Sequence, residues 1–133
     1  YTLKPLNSGK VISVGKQETS NGGNVIQDDD AGNASQRFVL TLVDSIYWKI
    51  TPANVPERAF DVYGISAENG ANICIWDYWA GQGQQWQIGE TGNGTYIFIS
   101  RNSQKCMTVN PADNNVMQWT CNGAENQQFI ISE

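Results

Sequence analysis

Gln36-Arg37-Phe38, Gln84-Gln85-Trp86 and Gln127-Gln128-Phe129 are one short phrase written three times, a glutamine two places ahead of an aromatic ring. The aromatic positions stand 48 and then 43 residues apart. Upstream of each lies a second marker: Val11-Ile12-Ser13-Val14, Ala59-Phe60-Asp61-Val62 and Cys106-Met107-Thr108-Val109, whose final valines are 48 and 47 residues apart. Between the two sits a third: Val25-Ile26-Gln27-Asp28, Ile73-Cys74-Ile75-Trp76 and Val116-Met117-Gln118-Trp119. Each copy also opens near an aromatic, at Tyr1, Tyr47-Trp48 and Tyr96. Four landmarks in one order, three times over, define an internal repeat, and a unit of this length cannot bury its apolar face alone. The copies run approximately over 1–42, 43–90 and 91–133, about 40–48 residues each, within a single domain spanning 1–133.

The landmarks have strand character. Tyr47-Trp48-Lys49-Ile50, Tyr96-Ile97-Phe98-Ile99 and Phe129-Ile130-Ile131 are short β-branched and aromatic runs. Turn clusters separate them, such as Ser20-Asn21-Gly22-Gly23, Glu68-Asn69-Gly70 and Thr91-Gly92-Asn93-Gly94. Four strands per copy give about twelve, an all-β pattern of barrel or sandwich type. Threefold repetition selects a β-trefoil, because three equivalent units close a barrel and leave no exposed edge. Phe38, Trp86 and Phe129 then meet in the core. Gln36, Gln84 and Gln127 satisfy backbone groups in buried turns.

Composition narrows the function. The 133 residues carry a net charge of −5 and no histidine. An acidic chain repels a phosphate backbone, so nucleic acid is not an expected partner. Without histidine, the Ser-His-Asp and Cys-His nucleophile arrangements are excluded and most transition-metal sites are disfavoured. No run approaches the roughly 20 apolar residues of a membrane-spanning helix, and membrane insertion is not expected. Tyr1-Thr2-Leu3-Lys4-Pro5 reads as folded sequence rather than a signal peptide, which suggests a mature or trimmed boundary. Asp28-Asp29-Asp30 gathers hard oxygen ligands, but the matching turns of the other copies are not acidic, so a solvated turn is expected there and no metal.

The three glutamine-x-aromatic endings, the Asp61-Val62 of the middle copy and Trp76 of Ile73-Cys74-Ile75-Trp76-Asp77 resemble the ricin B-type lectin family, which includes the family 13 carbohydrate-binding modules. The likeness covers the whole chain. It implies a β-trefoil that binds galactose-type or xylan-type glycans in up to three shallow pockets, without a cofactor. Family members occur as free secreted lectins and as modules joined to a catalytic domain. The resemblance also implies a disulfide between Cys106 and Cys121, in an oxidising, extracellular setting. Cys74 is left as a small apolar filler.

A sugar needs a flat aromatic for its C–H face and a carboxylate or amide for its hydroxyls. The resemblance places the carboxylate just before the marker valine, the aromatic at the end of the third marker, and an asparagine just before the glutamine-x-aromatic. The first copy offers Ser13, Asp28 and Ser35, so its pocket is expected to be dead or repurposed. The middle copy offers Asp61 and Trp76, with Gly83 in place of the asparagine, Gln84 beside it, and Tyr78 and Trp79 extending the aromatic surface. The last copy offers Trp119 and Asn126, with Thr108 in place of the carboxylate. Two other classes compete. A protein–protein module such as a trefoil protease inhibitor acts through freely varying loops, and the joint presence of Asp61 and Trp76 argues against it. A glycosidase needs two carboxylates, and no acid pair stands out from the repeat.

Overall fold

A computed structural model describes all 133 residues. Six strands form a barrel: β1 (Thr2–Pro5), β4 (Phe38–Asp44), β5 (Tyr47–Pro52), β8 (Trp86–Glu90), β9 (Tyr96–Ser100) and β12 (Phe129–Ser132). Their hydrogen-bonded order is β1-β12-β9-β8-β5-β4. Phe38 N donates to Tyr1 O at 2.8 Å and Tyr1 N to Phe38 O at 2.9 Å, which joins the ends of that order into a ring. No barrel edge is left for another chain to extend. The remaining strands pair as three antiparallel hairpins: β2 (Val11–Val14) with β3 (Val25–Asp28), β6 (Arg58–Val62) with β7 (Ile73–Asp77), and β10 (Cys106–Val109) with β11 (Val116–Trp119). The result is a β-trefoil of twelve strands, with short 3-10 turns as its only helical structure.

The core repeats as the sequence does. Phe38/Trp86/Phe129, Ile12/Phe60/Met107, Leu3/Ile50/Phe98, Val14/Val62/Val109 and Val25/Ile73/Val116 belong to one buried cluster. Trp86 has no exposed surface. Strand alternation explains the choice: one face of each short strand turns inward, and the barrel is narrow enough for side chains to fill it. At the top, the hairpins meet around Asn24, Asn72 and Asn115. Asn24 Nδ2 donates to Asn115 Oδ1, Asn115 Nδ2 to Asn72 Oδ1, and Asn72 Nδ2 to Asn24 Oδ1, each at 2.8 Å. This closed ring of side-chain amides ties the three copies together.

Candidate functional site

Each copy uses its glutamine to shape the loop that follows its third marker. Gln84 is wholly enclosed. Its Nε2 donates to Asp77 O at 2.8 Å, and its Oε1 accepts from Trp79 N at 3.0 Å. Gln36 does the same with Asp29 O and Ala31 N, and Gln127 with Thr120 O and Asn122 N. These buried amides bring backbone groups into register that would otherwise be unsatisfied. Gln84 therefore presents nothing to solvent itself; it sets where Trp79 stands. Trp79 then folds its ring over Gly81, where a Cβ would overlap the indole.

In the middle copy this loop borders a hollow of about 310 Å³ lined by Asp61, Tyr63, Gly64, Ile65, Cys74, Trp76 and Trp79. β6 carries Asp61 and β7 carries Cys74 and Trp76, paired so that Asp61 lies opposite Cys74. The 3-10 turn Tyr63–Ile65 forms the lip. Trp76 is 38% exposed, and the turn of the preceding copy supports it from behind: a Cβ on Gly22 would lie 3.9 Å from Trp76 Cζ3. Asn21 holds the same corner, accepting from Asp77 N at 2.8 Å and from Arg58 Nε at 2.9 Å.

Asp61 is only 8% exposed, and none of the five ion pairs includes it. Burial pushes its carboxyl up to about 6, while a hydrogen bond from Gln84 pulls the other way. A carboxylate kept in a hollow at a cost to its ionised form is a recurring mark of a binding or catalytic position. Behind it, Cys74 is a free buried thiol whose pKa rises to about 11, first through burial and then through the negative charge of Asp61. What the arrangement can do is accept two hydroxyl hydrogens at Asp61 while an apolar sugar face rests on Trp76.

The structure thus brings Asp61, Trp76 and Trp79 together. Tyr78 does not join them. Its ring lies under Lys49 Nζ at 4.7 Å and its hydroxyl accepts from Gln85 Nε2 at 3.2 Å, and it is not among the residues that line the hollow. Tyr63 and Ile65 belong to the lining and were not singled out by the repeat, because the turn after the marker valine differs in every copy: Gly15-Lys16-Gln17, Tyr63-Gly64-Ile65, Asn110-Pro111-Ala112. Their position directly after the marker was the available signal.

The other two copies differ in kind. In the last, Thr108 Oγ1 donates to Cys106 O at 2.9 Å and accepts from Gln127 Nε2 at 3.1 Å, so its hydroxyl is committed. Asn126 Nδ2 donates to Val109 O at 2.9 Å. Trp119 remains an exposed platform, backed by Gly70 as Trp76 is by Gly22. Cys106 and Cys121 are joined in a disulfide beside it. In the first copy, Gly15 and Asp28 stand where the middle copy has Tyr63 and Trp76. Their smaller side chains leave a larger, polar hollow of about 590 Å³ lined also by Lys16, Glu18 and Asn24. The Asp28-Asp29-Asp30 turn is exposed, with Asp29 paired to Lys10 and Asp30 to Arg37.

The chain is similar in structure to several solved proteins. ThreeFoil, a designed threefold-symmetric protein, matches with a TM-score of 0.96 and 33% identity over 100% of this chain and 97% of its own. The exo-β-1,3-galactanase 1,3Gal43A from Clostridium thermocellum matches with a TM-score of 0.93 and 30% identity over 98% of this chain, which corresponds to 29% of the enzyme. The hemolytic lectin CEL-III shares the fold at a TM-score of 0.80, 22% identity, covering 98% of this chain and 29% of that one. No curated protein matches the chain in sequence. The family described as the ricin-type β-trefoil lectin domain matches residues 1–129, and the chain belongs to that family.

Proposed function

We propose that this domain is a non-catalytic glycan-binding module whose working site is the middle repeat, with Asp61 accepting sugar hydroxyls and Trp76 carrying the ring. The observation that supports it is the meeting of a desolvated carboxylate and a half-open indole in one hollow of about 310 Å³. Trp79 closes one side, and Trp119 with Asn126 provides a secondary contact for a polymer. The ligand is a galactose-type or xylan-type glycan. Hydrolysis of the usual kind needs two carboxylates, and Asp61 is the one acid lining the hollow. A secreted setting is proposed on the strength of the Cys106–Cys121 disulfide. No helix is long and apolar enough to cross a membrane. The 29% coverage of the galactanase makes attachment to a catalytic domain part of the same proposal.

Cys74 supplies a direct test, because its thiol lines the hollow beside Asp61. A glycan array, read beside a protease-inhibition panel, selects the ligand class. Methyl methanethiosulfonate converts a thiol to its methyl disulfide and releases methanesulfinate; the best glycan is then expected to slow this already slow reaction at buried Cys74 still further, and to lose that effect in Asp61→Ala. Protease inhibition without any glycan hit would replace this reading with the inhibitor class.

A further inference from the structure

Ile65 sits on the lip of the middle hollow with φ at +54° and half of its surface exposed. Its counterpart Gln17 holds φ +51° in the same turn of the first copy, whereas Ala112 of the last copy has no positive φ, so the first two repeats share this backbone. A β-branched side chain in that left-handed region is a rare and strained choice. What the choice provides is an apolar side chain in the hollow. Beside it Tyr63 is 62% exposed, and Trp79 stands among the same lining residues. The corresponding lip residues are Gly15 and Gln17 in the first copy and Asn110 and Ala112 in the last, so the apolar lip is particular to the copy that carries Asp61.

This pattern restricts what fits. Asp61 is the one charged side chain of the lining, and it satisfies about two hydroxyls. Trp76 takes one face of the ring. A hydroxyl pressed against Ile65 would lose its water with no partner, which is costly. A methyl group in the same place gains by burial. Resting on the glycan site proposed above, we propose that the middle hollow prefers a 6-deoxyhexose over the matching 6-hydroxy sugar, with the C6 methyl group against Ile65 and Tyr63.

The test uses pairs that differ by one oxygen atom: the methyl glycosides of D-galactose and D-fucose, and of D-glucose and D-quinovose, with methyl xyloside as a fifth ligand. Each is titrated calorimetrically and by protection of Cys74. The deoxy member of the bound pair is expected to bind about fivefold tighter or more, the factor carried at the low end by one hydroxyl desolvated without a partner. Ile65→Asn suits the left-handed backbone, so it should fold with an undiminished Tm and bring the ratio close to one. Parity in the parent, or preference for the 6-hydroxy sugar, overturns the proposal and leaves the glycan site standing. So does binding of the xyloside alone. Silence from all five, in heat and in Cys74 protection, overturns both.

Discussion

Asn21 of the first repeat accepts the backbone N–H of Asp77, the residue directly after Trp76, at 2.8 Å, and donates back to Asp77 Oδ2 at 3.2 Å. Asn69 accepts from Thr120 N at 2.8 Å in the same way, one residue after Trp119. Each tryptophan platform is therefore positioned by the turn of the repeat before it. Asn21→Ala should cost only about 1 kcal/mol, as these bonds are exposed. Its larger effect is expected on recognition, with glycan affinity falling several-fold as Trp76 loses its brace. Calorimetry and thermal melts on the one variant check both. A melt loss without any change in affinity would confine Asn21 to a structural role.

Asp61 ties stability to pH in an unusual direction. Its folded pKa of about 6 lies above the ordinary 3.8, so between those values the folded state binds more protons than the unfolded chain. Its protonated form suits the fold below pH 3.8, and that advantage is lost as pH rises through about 6. At neutral pH the ionised carboxylate then costs on the order of 2–3 kcal/mol. Asp61→Asn should raise Tm at pH 7, with the gain shrinking toward pH 4. Glycan affinity should run the other way, weakening as pH falls through about 6, because the ionised form is the better acceptor. Melts and titrations at roughly pH 7.5, 6 and 4.5, which straddle the folded value of about 6, separate the effects. Affinity that stays flat across this series would mean that Asp61 does not meet the ligand as a carboxylate.

Trp86 on barrel strand β8 and Trp76 on hairpin strand β7 should behave oppositely on truncation. Trp86 is fully buried, stacked among the core triplets, with its Nε1 donating to Phe60 O at 3.4 Å. Trp86→Ala should lose about 3–5 kcal/mol. Trp76, at the rim and 38% exposed, should lose about 1 kcal/mol or less in Trp76→Ala while losing most glycan affinity. Chemical denaturation of the two variants makes the comparison, and equal losses would move Trp76 from the site into the core.

The repeat spacing made the core legible. Phe38, Trp86 and Phe129 could be paired across copies because a trefoil puts equivalent residues in equivalent environments, and all three are buried. The enclosed role of Gln36 and Gln127 followed from the same logic. The lip did not, because its residues share a backbone shape rather than a side-chain type: Gln17 and Ile65 both hold positive φ with no resemblance between them. Tyr78 misled for another reason. Adjacency to Trp76 and Trp79 in the chain says nothing about direction, and its ring instead lies under Lys49 of β5, a strand of the barrel. The first copy, expected from its sequence to be dead or repurposed as a sugar pocket, has no aromatic in its hollow, which Gly15 and Asp28 leave open and polar.

Cys106 and Cys121 bridge a span of 15 residues beside Trp119. A closed loop of that length is worth about 3 kcal/mol in the chain-entropy view. Reduction should therefore lower Tm measurably while leaving the middle site intact, since Asp61 and Trp76 lie on a separate hairpin. Mass spectrometry after alkylation in denaturant should count one modified cysteine without reductant and three with it. Native alkylation of Cys74 should be slow, because burial raises its pKa to about 11. Three modified cysteines without reductant would remove the bridge from the account.

The last and middle repeats should divide the work of holding a polymer. One carboxylate and one stacked ring imply a dissociation constant between about 1 mM and tens of micromolar, the former equivalent to about −4 kcal/mol. Retention on a polysaccharide then needs a second contact whose effective concentration is set by the distance between sites. Trp119 is the exposed indole available for it, but its neighbour Thr108 has its hydroxyl committed to Cys106 O and Gln127. The last repeat can therefore stack a sugar without gripping its hydroxyls strongly. Asp61→Ala should abolish monosaccharide binding in calorimetry. Trp119→Ala should leave monosaccharide affinity within about twofold of the parent and reduce retention on an affinity gel, a loss of avidity rather than of the primary contact. The reverse result, with Trp119→Ala silent toward monosaccharide and Asp61→Ala unaffected, would transfer the primary site to the last repeat and leave the buried carboxylate without a ligand.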